Sequence, residues 1–192
     1  LKETVEAIQA LGGKAHGFVG DVRDADQITE FKHEVMERHA TVDILVNNVG
    51  DYRPLVRFLD SSPDSWKEMY DINLHHVFLV THAFLQLMID SGGGSIINMG
   101  STSWMIGQGG MPCYTTAKSA VQGLTRGLAR DLGPDNIRVN AVIPGWIMTQ
   151  RQIDMWLTEE SEKELMHRQC VKRKLIPEDI ARFVLFMASD EA

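Results

Sequence analysis

Three short apolar runs alternate along the chain with segments of helical periodicity, and this alternation constrains the fold more than any other feature. The runs are DILV (43–46), SIINM (95–99) and IRVNAVI (137–143), and polar residues or Gly and Pro end each of them. Compact apolar strands of this kind are typical of a parallel sheet that is covered on both faces. A further short strand is predicted over residues 14–20, running into Asp21.

The segments between these runs place apolar residues at helical spacing. Helices are predicted over residues 2–11, 24–39, 63–90, 112–132, 158–169 and 177–188. Strands that alternate with helices of this length imply right-handed crossovers. The sequence therefore predicts an α/β fold, with a doubly wound, Rossmann-like, mostly parallel sheet and helices on both faces. We expect a single domain over residues 1–192, because no repeat or low-complexity linker interrupts it.

Composition excludes several classes of function. The net charge of −7 comes with no long basic run, so nucleic acid is not an expected partner. No apolar stretch is expected to reach the roughly 20 residues of a membrane span, and the N-terminal residues lack a signal-peptide pattern, so we expect a cytoplasmic protein. Cys113 and Cys170 are expected to be reduced thiols, and neither they nor the seven histidines have the spacing of a metal site.

Tyr114 and Lys118 lie four residues apart near the start of the helix that Pro112 opens. Positions i and i+4 share one helix face, so both side chains can reach the same pocket. A nearby ammonium and the positive end of the helix dipole favour a phenolate, which would lower the tyrosine pKa towards the range of a useful base. The spacing alone also fits a surface helix with a half-buried tyrosine and a solvated lysine.

Ser101 directly follows the SIINM run, so it is expected at the carboxyl end of a strand. Ligands of doubly wound sheets bind beyond those ends. A hydroxyl there can orient a substrate oxygen. Most serines at strand ends are only turn residues. Ser101 is a candidate site residue because Tyr114 and Lys118 are also present in the chain.

An ordered set of polar residues and glycines runs through the chain. It comprises Asn47-Asn48-Val49-Gly50, Asn73, Ser101, the segment from Tyr114 to Lys118, and Pro144-Gly145 with Thr149. In order and spacing this set resembles the short-chain dehydrogenase/reductase family, and the resemblance extends over residues 1–192.

The resemblance implies a catalytic group of four residues. Tyr114 would be the acid/base, and Lys118 would lower its pKa and hold the nicotinamide ribose. Ser101 would position the reacting oxygen. Asn73 would hold a water that links Lys118 to solvent.

The resemblance also implies NAD or NADP as cofactor. Residues that would contact it are Asp21, Val22, Asn47, Gly50, Tyr114, Lys118, Pro144, Gly145, Ile147 and Thr149. Two alternatives stay open, because Asn47-Asn48 can simply end a strand and Asp21 can simply cap the next helix.

The chain departs from the family in two absences. The family's opening strand with its Gly-rich turn is not present, and neither is its last strand. We therefore expect a partial chain whose sheet is incomplete at both ends and which binds cofactor weakly. The choice between NAD and NADP stays open.

Several stretches resemble sugar 1-dehydrogenases, including Gly100 to Trp104 and Pro144 to Gln152. A substrate lid is expected around residues 146–176. Residues expected to contact a sugar are Ser101, Asp51, Arg53, Trp104, Trp146 and Gln152. The alternatives are that Trp146 only packs the lid and that Arg53 is only a solvated loop charge.

The predicted activity is hydride transfer from the C1 hydroxyl of an aldose to nicotinamide, which gives a lactone. The alternatives are a reductase of another carbonyl, such as an oxoacyl group or a cyclic ketone, and a non-catalytic binding protein on the same scaffold. The resemblance further implies a homo-oligomer, a dimer or tetramer.

Overall fold

A parallel three-stranded sheet forms the centre of the computed structural model, which describes residues 1–192. Its strands are Ile44–Asn47 (β1), Gly94–Met99 (β2) and Ile137–Val142 (β3), in the order β1-β2-β3. Val46 pairs with Ile97, and Asn98 pairs with Ala141. Each strand coincides with one of the apolar runs to within a residue or two, so the predicted parallel sheet is confirmed.

Eight helices surround the sheet. They are Lys2–Ala10 (α1), Ala25–Arg38 (α2), Pro63–Tyr70 (α3), His76–Asp90 (α4), Pro112–Leu132 (α5), Gln150–Trp156 (α6), Glu159–Arg168 (α7) and Pro177–Ala188 (α8). A π-helical turn over Asp71–His75 joins α3 to α4, so that the helical stretch is continuous. Helix α6 was not predicted, because seven residues are too few to show helical periodicity.

Consecutive side chains of β2 pack against helices on opposite faces of the sheet. Ile96 packs with Met88 of α4 and Leu132 of α5. Its neighbour Ile97 lies on the other face, where Ile180 of α8 packs against the same cluster. Both isoleucines are fully buried. The predicted doubly wound arrangement, with helices on both faces, is therefore confirmed.

The predicted strand over residues 14–20 is wrong for this chain. This segment makes no ladder hydrogen bonds, and β1 pairs only with β2. Val19 is 86% exposed. A strand exists only where a neighbour supplies the complementary backbone groups, and a local apolar pattern cannot supply them.

The apolar stretch Pro63–Asp90 differs from expectation. It is 28 residues long, and an 18-residue window in it reaches a mean hydropathy of 1.4, so by length and composition it could cross a membrane. The expectation that no stretch is this long and apolar was wrong. A single such helix is weak evidence, because a core helix meets the same criteria. Val77, Phe84 and Met88 of this stretch are buried within the fold.

Asp24 caps α2, and Asp21 does not. The Asp24 carboxylate accepts from the backbone N–H groups of Asp26 at 2.9 Å and Gln27 at 3.2 Å. Asp21 instead accepts from the backbone N–H of Arg23.

We expect Asp24→Ala to lower the free energy of unfolding by about 1 kcal/mol, because two N–H groups at the helix start lose their acceptor. Urea denaturation measures the change. Asp26→Ala is the matched control, since this carboxylate lies in the same first turn but accepts no backbone hydrogen bond. Equal effects of the two substitutions would contradict the assignment of the cap.

Candidate active site

Tyr114 and Lys118 share one face of the first turns of α5. The helix begins at Pro112, right after the loop that follows β2. Lys118 is buried, Tyr114 is partly buried, and the Lys118 Nζ lies 6.0 Å from the centroid of the Tyr114 ring. The two groups thus face one region at the carboxyl ends of the strands, as the i, i+4 spacing predicts.

The Lys118 ammonium has one protein acceptor. Its Nζ donates to the carbonyl oxygen of Met99, the last residue of β2, at 2.9 Å. Burial lowers the pKa of Lys118 to about 8. An ammonium carries three donor hydrogens, so two of them are left for another partner.

Gly50 leaves space beside this ammonium. A Cβ atom at position 50 would lie 3.1 Å from the Lys118 Nζ and 3.0 Å from the Asn73 Oδ1. These distances are tighter than nearly all real contacts of a Cβ atom. A side chain here would therefore press on both groups, which explains the glycine.

The pKa of Tyr114 is raised, whereas the sequence predicts that Lys118 lowers it. Burial is the largest cause, and the nearby Tyr52 and Asp51 also raise it, while the Ser101 hydroxyl lowers it. Lys118, whose ammonium donates to the Met99 carbonyl, is not among these causes. The Tyr114 phenol is consequently a proton donor at neutral pH.

Ser101 serves as both a turn residue and a neighbour of Tyr114. Its hydroxyl accepts from the backbone N–H of Ser103 at 3.2 Å, which caps the short helical turn Thr102–Trp104. The same hydroxyl donates to the Ser103 hydroxyl at 3.0 Å. The Trp104 indole N–H in this turn is buried without a partner.

Asn73 lies in the π-helical turn and is fully buried. Its amide nitrogen donates to the carbonyl of Met69 at 3.0 Å and to that of Asp51 at 2.6 Å. Its amide oxygen accepts from the Asp51 backbone N–H at 3.1 Å. Wide π turns are frequent at functional sites, and this one fixes the loop after β1 next to Lys118.

The carboxylate of Asp51 binds two arginines. Arg53 and Arg151 each approach one of its oxygens at 2.8 Å. Burial opposes ionisation of Asp51 most strongly, but the combined contacts with both arginines lower its pKa to about 2. Two predicted substrate residues, Asp51 and Arg53, therefore bind each other, and Arg151 ties α6 to the loop after β1.

Tyr52 was missed by the sequence analysis. Its ring lies edge-on to that of Tyr114, with centroids 5.8 Å apart, and at the same distance from that of Trp156. The Gln152 amide nitrogen donates to the Tyr52 hydroxyl at 2.9 Å, and the Trp146 indole N–H donates to the Gln152 amide oxygen at 2.8 Å. No local signal reveals this residue, because Gln152 lies 100 positions away.

Tyr52 and Tyr114 line a small pocket. The remaining lining residues come from the loop after β1, from α3 and from the start of α5, and they are Pro54, Val56, Ser65, Met69, Met111 and Cys113. Most of this lining is apolar. The pocket thus combines two phenols with an apolar wall.

The predicted cofactor residues fall into two groups. Those after β3 lie next to the Ser101 turn, where the Pro144 carbonyl accepts from the Thr102 N–H at 3.0 Å. Gly145, Ile147 and Thr149 follow in the same segment; Ile147 bridges to Leu175, and Thr149 caps α6.

The second group consists of Asp21, Val22 and Asn47, whose side chains contact other protein groups. Asn47 is buried, and its amide nitrogen donates to Thr81 and Asn98, below the carboxyl end of the sheet. Val22 packs against the cluster of Ile28 and Phe84. Asp21 forms an ion pair with Arg23 at 2.6 Å.

The residues near Lys118 fit a nicotinamide cofactor. The ammonium has donor hydrogens without a protein acceptor, and Gly50 keeps the backbone close to it. Ribose hydroxyls are acceptors that suit such a site. A parallel sheet with a crevice at its carboxyl ends, a buried lysine and an adjacent tyrosine together define a nicotinamide-linked oxidoreductase of the Rossmann class.

Comparison with known proteins narrows this class. The family model described as "Enoyl-(Acyl carrier protein) reductase" matches residues 1–192. A solved 7α-hydroxysteroid dehydrogenase, complexed with NADH and 7-oxo glycochenodeoxycholic acid, aligns with a TM-score of 0.92 at 31% identity and covers 98% of this chain and 72% of its own. The chain belongs to the short-chain dehydrogenase/reductase family, whose members use NAD or NADP.

Two curated relatives act on sugars by name. "Probable galactose dehydrogenase GalD" of Rhizobium meliloti (strain 1021) is 40% identical over 97% of this chain and 73% of its own length. The D-xylose 1-dehydrogenase of Caulobacter vibrioides (strain NA1000 / CB15N) is 45% identical over 79% of this chain and 60% of its own length. The chain thus spans about 60 to 73% of these relatives.

Proposed function

We propose that this chain carries the catalytic centre of a sugar 1-dehydrogenase, which transfers a hydride from the C1 of an aldose to NAD or NADP and yields a lactone. The observation that carries the proposal is the pair of Tyr114 and Lys118, where a partly buried phenol stands beside a buried ammonium with unused donors. Tyr114, Lys118, Ser101 and Asn73 are the proposed catalytic residues. We propose that residues 1–192 form one domain, with residues 146–176 as its lid.

The proton and hydride leave the substrate separately. Bound nicotinamide supplies the hydride acceptor. Oxidation requires the ionised form of Tyr114, which takes the proton of the C1 hydroxyl, and the bond that remains between C1 and that oxygen becomes the lactone carbonyl. Because burial raises the pKa of this phenol, the ionised fraction and with it the oxidation should increase with pH. Ser101 holds the same oxygen by its hydroxyl. Lys118, with a pKa of about 8, can pass a proton onwards near neutral pH.

The proposed cofactor site uses both groups of predicted residues. Lys118 and Tyr114 would hold the ribose, and the segment of Pro144, Gly145, Ile147 and Thr149 would face the nicotinamide amide. Gly50 would allow close approach. Asp21, Val22 and Asn47 are proposed for the adenosine end, Asn47 by supporting the strand end from below.

Unpaired indole donors favour a substrate rich in hydroxyl oxygens. The N–H groups of Trp104 and Trp156 are buried without a partner. Buried donors of this kind normally find an acceptor, here in a ligand. This chemistry agrees with the sugar substrates named for the two relatives. The proposed contacts are Ser101, Trp104, Trp146 and Gln152, whereas Asp51 and Arg53 would act by fixing α6.

A second candidate is a reductase of another carbonyl compound, such as an oxoacyl thioester or a cyclic ketone. The description of the matching family model and the apolar lining beside Tyr114 favour it. A non-catalytic binding protein is less favoured, because a buried lysine with unused donors is costly for a scaffold to keep.

A panel of aldoses incubated with NAD and with NADP tests the proposal. We expect at least one aldose to be oxidised, with one reduced nicotinamide formed per lactone, because oxidation of each C1 hydroxyl releases one hydride. Absorbance follows the cofactor, and NMR spectroscopy identifies the lactone. Reduction of a cyclic ketone or oxoacyl thioester without oxidation of any aldose would overturn the sugar assignment and favour the second candidate.

We also propose a homo-oligomer, a dimer or tetramer, located in the cytoplasm. The support for assembly is a groove between the Tyr70 end of α3, α4 and α5, where Phe78 is 50% exposed. Exposed aromatic side chains along a groove are typical of protein interfaces. Light scattering would measure the mass.

A further inference from the structure

Tyr52 occupies a position that nothing in the family roles above accounts for. Its ring contacts those of Tyr114 and Trp156, so it stands between the proposed catalytic phenol and the lid helix α6. It also lines the same pocket as Tyr114. Its neighbours on both sides along the chain, Asp51 and Arg53, are joined by an ion pair.

The backbone at Tyr52 is held from two directions. Asn73 makes two hydrogen bonds to the backbone of Asp51, and the Asp51 carboxylate binds Arg151 of α6. The loop, the π-helical turn and the lid helix are thus fixed relative to one another. Tyr52 is therefore a pre-organised side chain with little freedom to lose when a ligand binds.

The hydrogen bonds of Gln152 determine whether the Tyr52 hydroxyl is a donor or an acceptor. An indole N–H can only donate, so the Gln152 atom 2.8 Å from the Trp146 nitrogen must be the amide oxygen. The amide nitrogen is then the atom 2.9 Å from the Tyr52 oxygen, and it can only donate. The Tyr52 oxygen is consequently the acceptor, and its own hydrogen is not used by this bond.

We propose that Tyr52 is a specificity-determining residue, whose free O–H donates to a second hydroxyl oxygen of the substrate while Tyr114 serves the reacting oxygen. This inference rests on the proposed sugar 1-dehydrogenase function. It names the substrate class more narrowly, as carbinols that carry at least one further hydroxyl near the reacting carbon. The ring of Trp156, whose buried N–H has no partner, contacts the Tyr52 ring.

The test compares wild type and Tyr52→Phe on an oxidised aldose and on its monodeoxy analogues. The substitution keeps the ring, so the contacts with Tyr114 and Trp156 stay. We expect wild type to prefer the parent aldose over one deoxy analogue by about tenfold in kcat/KM. Tyr52→Phe should lose that preference, because the variant lacks the donor of the hydrogen bond whose acceptor the deoxy analogue lacks. The loss should appear mainly in KM, since the donor binds an atom that does not react.

Tyr70→Phe is the matched control, because it removes the one phenol of the chain that lies outside this pocket. It should leave the preference unchanged. A ratio of two substrates on one variant is insensitive to partial misfolding, which lowers both rates equally. An unchanged preference in Tyr52→Phe across every deoxy position would overturn the assignment of Tyr52 alone, whereas wild type that oxidises no aldose would overturn the proposed function.

Discussion

Replacing Tyr114 by phenylalanine is expected to lower kcat by at least about a thousandfold, which corresponds to roughly 4 kcal/mol of transition-state stabilisation. In the proposed mechanism the phenol exchanges a proton with the reacting oxygen, and its ring contacts that of Tyr52 whether or not the hydroxyl is present. The substitution should therefore remove the chemistry and keep the architecture. Steady-state turnover with the best carbinol substrate measures the loss.

Cofactor affinity separates a chemical role from a structural one. The Lys118 Nζ is held by the Met99 carbonyl and not by the Tyr114 hydroxyl, so its unused donors remain in place in the variant. We expect the dissociation constant for NAD or NADP, measured by fluorescence, to change by less than about threefold, because a single weak contact is lost. Turnover within tenfold of wild type would exclude Tyr114 as the acid/base.

Because of His76, the free energy of unfolding is expected to fall by about 3 kcal/mol between neutral pH and pH 4. It is 1% exposed, and neither ring nitrogen has a hydrogen-bond partner. Burial, followed by the positive charges of Lys118 and His75, lowers its pKa from 6.5 to about 4. The unfolded chain therefore binds a proton in this range that the folded protein does not, and stability falls as the pH falls from 6.5 towards 4.

Urea denaturation of wild type and His76→Gln at pH 7 and at pH 4 tests this expectation. The variant has no group to protonate at this position, so its free energy of unfolding should decrease by about 3 kcal/mol less than that of wild type over the same interval. His82→Gln, an exposed histidine on the same helix, should follow wild type. Parallel pH dependence in wild type and His76→Gln would show that the buried imidazole does not govern the acid response.

The strands of the fold were predictable because their signal is local. Ile96 and Ile97 are both buried, one on each face, which requires an uninterrupted apolar run. The segment over residues 14–20 carries a similar local signal, but strand formation also depends on a neighbouring backbone. No strand of the sheet pairs with this segment, and a local pattern carries no information about such a neighbour.

The closeness of Tyr114 and Lys118 was also predictable, because residues four positions apart on one helix lie on the same face. The surroundings were not. The contacts of Arg151 with Asp51 and of Gln152 with Tyr52 each join positions 100 residues apart. Burial reversed the expected direction of the Tyr114 pKa, and burial depends on the whole fold. Sequence spacing thus identifies which groups meet, whereas their electrostatics follow from the packing around them.

The π-helical turn at Asp71–His75 also sets the rotational phase of α4. Such a turn holds about one residue more than an α-helical turn, and each residue advances the side chains by roughly 100° around the axis. The extra residue therefore contributes to the direction in which α4 presents Phe84 and Met88, which pack against Leu45 and Ile96 of the sheet. Deleting a single residue here would rotate the buried side chains of α4 away from their partners, so the position of Asn73 and the packing of α4 depend on the same turn.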